Sequence, residues 1–119
     1  MANKTRKNRA EVLPWLSANT DCSEKSGFVQ VGNSLLTSQA WRGLSYSSRI
    51  LYISMADSAR GQRQFQFPRA TIEKRYGIPW RTALNGIDEL IGSGFIRLVS
   101  GGKTTREPNI YEFVFDWKG

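Results

Sequence analysis

The segment Gly77-Ile78-Pro79-Trp80-Arg81-Thr82-Ala83-Leu84-Asn85-Gly86-Ile87-Asp88-Glu89-Leu90 ends shortly before Gly94-Phe95-Ile96, and it constrains the fold of this chain more than any other. Ala83, Ile87 and Leu90 recur at helical spacing and define one buried face, which leaves Arg81, Thr82 and Asn85 on the outside. The spacing predicts a helix over 80–93. Gly77 breaks the chain before it and Gly94 stops it after, both positions where a residue without a Cβ makes a tight turn easy. Gly86 lies inside the predicted helix, at a cost of about 1 kcal/mol against alanine. Close packing against a neighbouring element is the simplest offset.

Pro68, preorganised for a first helical turn, precedes Ile72 and Tyr76 and predicts a helix over 69–76. Two helices joined through a glycine turn make a helix-turn-helix. Phe95-Ile96-Arg97-Leu98-Val99 and Ile110-Tyr111-Glu112-Phe113-Val114-Phe115 predict a hairpin across the loop 100–109, with Tyr111, Phe113 and Phe115 inward and Arg97 able to pair with Glu112. Upstream, Gln64-Phe65-Gln66-Phe67 alternates as a short strand does. Ser45 is placed to cap a central helix running to Ala59, with Tyr46, Ile50, Leu51, Tyr52, Ile53 and Met55 covering much of its circumference. Phe28-Val29-Gln30-Val31 reads as a strand and residues 34–41 as one brief helix with Leu35, Leu36, Ala40 and Trp41 for burial. Residues 1–27 show no useful period and read as a polar basic arm, either flexible or docked through the apolar knot Val12-Leu13-Pro14-Trp15-Leu16. The expected organisation is an arm over 1–27 and one α+β domain over 28–119. That domain is a winged helix-turn-helix of about four helices, with a C-terminal β-hairpin wing and a short additional strand.

A chain of 119 residues has room for one substantial core and little else. Its net charge of +7 favours polyanionic partners, nucleic acid before an acidic membrane surface. Histidine is absent, which removes the commonest general base and metal ligand, and Cys22 stands alone, so neither an internal disulfide nor a zinc finger can be assembled. With no nucleotide loop or convincing carboxylate pair, the expectation is a non-enzymatic protein without metal, cofactor or small-molecule ligand. No apolar run approaches membrane-spanning length, and the single cysteine suits a reducing compartment, so a soluble cytoplasmic protein is expected.

The outward residues have the chemistry of a duplex reader. Arg81 can bind phosphate or guanine, Asn85 can pair with adenine, and Thr82 can donate to phosphate or touch a thymine methyl. Trp80 can pack on sugar and backbone, and Arg69 adds a cation at the start of the preceding helix. An ordinary solvated helix start carries the same residue types. In the hairpin loop, Gly101-Gly102 precede Lys103, Thr104, Thr105 and Arg106, where Lys103, Thr105 and Arg106 are candidate backbone or minor-groove contacts, or simply a polar tip. Lys4, Arg6, Lys7 and Arg9 form either a basic DNA-tracking arm or a solubilising terminus. Asp88 and Glu89 must point away from any bound phosphate or bond to neighbours.

Ile72, Tyr76-Gly77-Ile78, Thr82-Ala83, Ile87-Asp88-Glu89-Leu90 and Gly94-Phe95-Ile96 resemble the winged-helix pattern of GntR-type regulators and of small plasmid and prophage proteins. The run from Phe28-Val29 through Leu35-Leu36, Ser38, Ala40-Trp41 and Leu44-Ser45 to Arg49, Leu51 and Tyr52 resembles the start of replication-initiator-like proteins of mobile elements. The resemblance covers about residues 28–117. It implies phosphate contacts at Pro79, Trp80, Arg81 and Thr82 and base contacts around Leu84 and Asn85. Three positions depart from the pattern: Pro79 replaces a capping serine, Leu84 a polar or basic residue, and Glu73 a small alanine.

These readings lead to a double-stranded DNA-binding protein, acting as a regulator of transcription or copy number. One alternative is an accessory replication-initiation factor of a plasmid, phage or other mobile element. Another is a protein-interaction module anchored by Trp15, Trp41 or Trp80. A homodimer stays open, although no heptad or spare helix provides a seam.

Overall fold

A computed structural model of the chain describes residues 10–25, 27–101 and 108–119, arranged as two compact units, Met1–Gln30 and Val31–Gly119.

In the first unit, β1 (Ala10–Glu11) runs antiparallel to β2 (Ser23–Glu24), pairing Ala10 with Glu24 and Glu11 with Ser23. The Val12 amide extends the ladder to the Cys22 carbonyl at 2.9 Å, and Pro14–Leu16 forms a 3-10 turn between the strands. Polar side chains close this hairpin. Asp21 accepts from the Ser23 amide at 3.1 Å and its hydroxyl at 2.9 Å, while the Asn19 amide donates to the Ser23 carbonyl and the Glu24 carboxylate. Because backbone and polar side chains hold it together, it leaves no apolar alternation in the sequence, and the stretch reads as a polar arm, either flexible or docked. Leu13, Trp15 and Leu16 are exposed. The strand expected over residues 28–31 does not form: residues 27–32 join no ladder, and Phe28 is exposed.

The second unit begins with two one-turn helices, α1 (Asn33–Leu36) and α2 (Gln39–Arg42), where one was expected. Ser38 makes the break. Its hydroxyl donates to the Leu35 carbonyl at 2.8 Å, ending the first turn, and accepts from the Trp41 amide at 3.2 Å, starting the second. The kink carries Trp41 into the core and leaves Leu36 outside. The central helix α3 (Tyr46–Ala59) starts at the expected cap, where the Ser45 hydroxyl accepts from the Ser48 amide at 3.2 Å. It buries Ser48, Leu51, Ser54, Met55 and Ala59 on one broad side. Tyr46 and Ile50, expected in the core, are 80% and 57% exposed, because neighbours do not surround the first turns of α3.

Three strands form one antiparallel sheet in the order β3 (Gln64–Gln66), β5 (Ile110–Phe113), β4 (Ile96–Ser100). Phe65 stands opposite Tyr111 and stacks on Phe113 at 4.6 Å between ring centres. Tyr52 of α3 meets Trp41, Phe95 and Phe113 edge to face at 5.7, 5.3 and 5.5 Å, which joins helix and sheet in one aromatic cluster. The expected inward row fails at its last member. β5 ends at Phe113, the Val114 amide turns to the Phe95 carbonyl at 3.0 Å, and Val114 is buried while Phe115 is exposed. Trp117, in the closing turn, stacks on Phe95 at 5.2 Å.

The first limb of the helix-turn-helix is not a regular α-helix. Residues 69–70 are α-helical, and Thr71–Arg75 widen into a π-type turn. The Ile78 amide reaches back to the Ile72 carbonyl at 3.1 Å, and both residues are buried. Gly77 then takes φ +68°. The turn is tied to α3 by the Tyr76 hydroxyl, which donates to the Asp57 carboxylate at 2.5 Å and accepts from Arg75 Nε at 3.2 Å. Burial, reinforced by that bond to Asp57, raises the Tyr76 pKa. The second limb, α4 (Trp80–Gly92), buries Ala83, Gly86, Ile87 and Leu90 against the rest of the unit. Two α-helices of useful length, the wide turn between them and the three-stranded sheet give an α+β, winged-helix-like fold.

Candidate nucleic-acid interface

The geometry of α4 separates its two faces. Ala83 and Leu90 have no exposed surface, whereas Arg81, Leu84, Asn85 and Asp88 are exposed along the opposite face. Pro79 is the N-cap, at φ −60° and ψ 142°, and its side chain caps nothing. Its carbonyl accepts the first helical bond from the Ala83 amide at 2.9 Å. A helix start without a side-chain cap presents first-turn N–H groups that suit an anionic oxygen, with the positive end of the helix dipole behind them. Thr82 is half-buried and borders a cavity of about 360 Å³ shared with Tyr46, Ile50, Tyr76, Ile78 and Pro79.

Trp80 and Arg69 form a unit. The Arg69 guanidinium lies 5.2 Å from the centre of the Trp80 ring, and its Nε is 3.2 Å from the Glu73 carboxylate. Trp80 is half-buried and Arg69 exposed. With them, Phe67, Pro68, Pro108, Asn109 and Tyr111 line a cleft of about 270 Å³ next to the base of the hairpin loop. The Arg69–Glu73 pair has i,i+4 spacing, so sequence could have revealed it. That Trp80 and Asn109 line the same cleft depends on tertiary structure, and no local pattern announces it.

The two acidic residues of α4 have different fates. Glu89 turns inward and caps α3, accepting from the Ser45 hydroxyl at 2.8 Å, from the Ser45 amide at 3.3 Å and from the Ser48 hydroxyl. These bonds, chiefly that from Ser48 and then that from Ser45, hold its carboxyl below the ordinary carboxylate range. Its charge is thus committed to a second helix start. Asp88 remains exposed on the outer face.

On the sheet, Glu112 takes the expected cross-strand partner, with Arg97 at 2.5 Å, and a second one, Arg63 at 3.3 Å. The Arg63 guanidinium also donates to the Phe113 carbonyl at 3.0 Å. The structure therefore places Trp80, Arg81, Thr82 and Asn85 on the first two turns of α4, with Arg69 stacked on Trp80. The loop candidates Lys103, Thr105 and Arg106 and the arm candidates Lys4, Arg6, Lys7 and Arg9 lie outside the described residues. Of the three tryptophans considered as protein-binding anchors, Trp41 is only 3% exposed and cannot serve, Trp80 is half-buried, and Trp15 is 76% exposed. Among the described residues, no helix is long and apolar enough to cross a membrane, and no group of three or more His, Cys, Asp or Glu residues could hold a metal.

The fold defines the class, a winged-helix-like α+β protein. No protein-family model matches the chain, and no curated protein matches it. Among solved structures it is similar to one described as "Structure of Rep-DNA complex", with a TM-score of 0.56 and 17% sequence identity, over 76% of this chain and 77% of that one. At that identity the likeness concerns the fold. It draws no support to the GntR-type side of the sequence resemblance.

Proposed function

We propose that the chain binds double-stranded DNA, with the start of α4 in the major groove and the loop between β4 and β5 on the adjoining backbone. The observation that carries this reading is the division of α4: Arg81 and Asn85 stand exposed over an inner face fixed by Ala83, Ile87 and Leu90. An arginine and an asparagine one helical turn apart are the residue types that pair bidentately with guanine and adenine edges. The net charge of +7 supplies sequence-independent attraction to phosphate. Likeness in fold to a protein solved as a Rep-DNA complex favours a role in replication initiation or copy-number control over general transcription control. In that role the chain acts as a DNA-docking factor of a plasmid, phage or other mobile element, with chemistry left to its partners.

The test is a titration of labelled duplex at several salt concentrations, after selection of a preferred site from a random duplex pool. Affinity should fall steeply with salt, and Arg81→Ala and Asn85→Ala should each weaken binding to the selected site about tenfold, a loss within the ~1–3 kcal/mol of a bidentate base contact. Binding without salt dependence, or variants that match the parent on the selected site, would sink the proposal.

A second reading has its own observation. Tyr46 and Ile50 are exposed beside the helix-turn-helix, where they border the cavity of about 360 Å³, and such an apolar surface suits a protein partner. Tyr46→Ser with Ile50→Ser should then abolish a partner contact while leaving duplex affinity unchanged.

A further inference from the structure

The cleft between α4 and the base of the hairpin loop combines features that point to one kind of ligand. Its volume, about 270 Å³, lies below the ~300–1,000 Å³ of drug-sized pockets and suits a group as small as a phosphate with its sugar. It is lined by Phe67, Pro68, Arg69, Trp80, Asn109 and Tyr111. Arg69 has two partners: its guanidinium carbon lies over the indole, 5.2 Å from the ring centre, and its Nε lies 3.2 Å from Glu73. The Glu73 contact is made through Nε, and the guanidinium's other donors are the terminal Nη pair. Two parallel N–H donors on a fixed plane match the oxygens of a phosphodiester. The Asn109 amide, which donates a long 3.4 Å bond to the Tyr111 hydroxyl, adds a neutral donor to the lining.

We infer that this cleft seats one sugar-phosphate unit of the DNA backbone, with Arg69 as the phosphate fork, Trp80 as the floor under the sugar, Asn109 as a second donor, and Glu73 as the residue that orients Arg69. The inference rests on the duplex-binding reading and adds a specific phosphate contact to it. It also gives Glu73 a function. The carboxylate repels phosphate at long range, yet it fixes the guanidinium that binds it.

The experiment measures duplex affinity of the full chain against salt for Arg69→Ala, Asn109→Ala, Glu73→Ala and Glu73→Gln, with circular dichroism confirming that each variant is folded. Arg69→Ala should weaken binding about tenfold and lower the slope of log affinity against log salt by about 0.9, the loss of one phosphate contact. Asn109→Ala should weaken binding about threefold with the slope unchanged, because no charge is lost. Glu73→Ala and Glu73→Gln remove the same charge, so the difference between them isolates orientation. Glutamine, which keeps an acceptor for Nε, should bind about threefold tighter than alanine, the scale of fixing one side chain. In an Arg69→Ala background that gap should close. If the parent binds duplex with a steep salt slope but Arg69→Ala leaves the slope unchanged, or if the Glu73 pair is equal, this inference fails while the duplex reading stands. A parent without salt-dependent binding overturns both.

Discussion

Gly86 of α4 lies so close to Leu51 of α3 that a Cβ at position 86 would sit 2.8 Å from Leu51 Cδ2, with the Ser48 hydroxyl 3.5 Å away. This is the offset that a glycine inside a helix calls for: the absent methyl allows α4 to approach α3. Leu51 is 1% exposed, so its Cδ2 can yield only by repacking within the core.

Gly86→Ala should therefore destabilise the protein despite the better helix propensity of alanine. The propensity gain is about 1 kcal/mol, and overpacking a filled core costs about 1–3 kcal/mol, so a net loss of about 1 kcal/mol is expected. Chemical denaturation measures it. Adding Leu51→Val, which vacates the clashing position, should recover part of the loss. An alanine variant more stable than the parent would show that the two helices separate freely.

Glu89 makes stability depend on pH in a defined direction. Its carboxyl titrates below the ordinary value because hydrogen bonds from Ser48 and Ser45 favour the charged form. The contribution is thus fully present above the unfolded-state pKa of about 4.3, and it is lost as pH falls through the lower folded-state pKa. The stability difference between the parent and Glu89→Gln should be constant from neutral pH down to about 5, then shrink on further acidification. Its plateau should not exceed about 1 kcal/mol, since the group is solvated in part. A difference that grows on acidification would contradict the assignment.

The two glycines that flank α4 should respond unequally. Gly77 has φ +68° with open space where a Cβ would project, whereas Gly94 has φ +82° and a Cβ there would meet Asp116 Cβ at 2.8 Å and the Trp117 amide nitrogen at 3.0 Å. Gly77→Ala should cost the left-handed backbone strain alone, about 1–2 kcal/mol. Gly94→Ala should add a clash against backbone that cannot rotate away, about 2–4 kcal/mol in total. Paired denaturation curves test the ranking, and equal losses would refute it.

The legible parts of this fold are those whose order is local. α4 repeats its apolar residues at helical spacing between two glycines, α3 carries its cap at Ser45, and Phe65 alternates with glutamines in β3. Elsewhere, tertiary context overrides the local pattern. Ile50 is as apolar as Leu51, yet Leu51 lies against α4 at Gly86 and is buried while Ile50 is exposed. Phe115 follows the period of Tyr111 and Phe113, but the chain leaves the sheet at Val114 to bond with Phe95. The π-type turn over Thr71–Arg75 has residues that suit an α-helix equally well, and its widening answers the demand to bury both Ile72 and Ile78. At the candidate interface, sequence supplied Arg69, Trp80, Arg81, Thr82 and Asn85. The bonds of Glu89 to Ser45 and Ser48 span more than forty positions and had no local signal.

α4 buries Ala83, Gly86, Ile87 and Leu90 and commits Glu89 to the start of α3, while the residues at 81, 84, 85 and 88 stay exposed. Those four positions can be substituted as a block without opening the core beneath. Under the proposed duplex-binding role, a designer seeking a retargeted variant would randomise those four codons first.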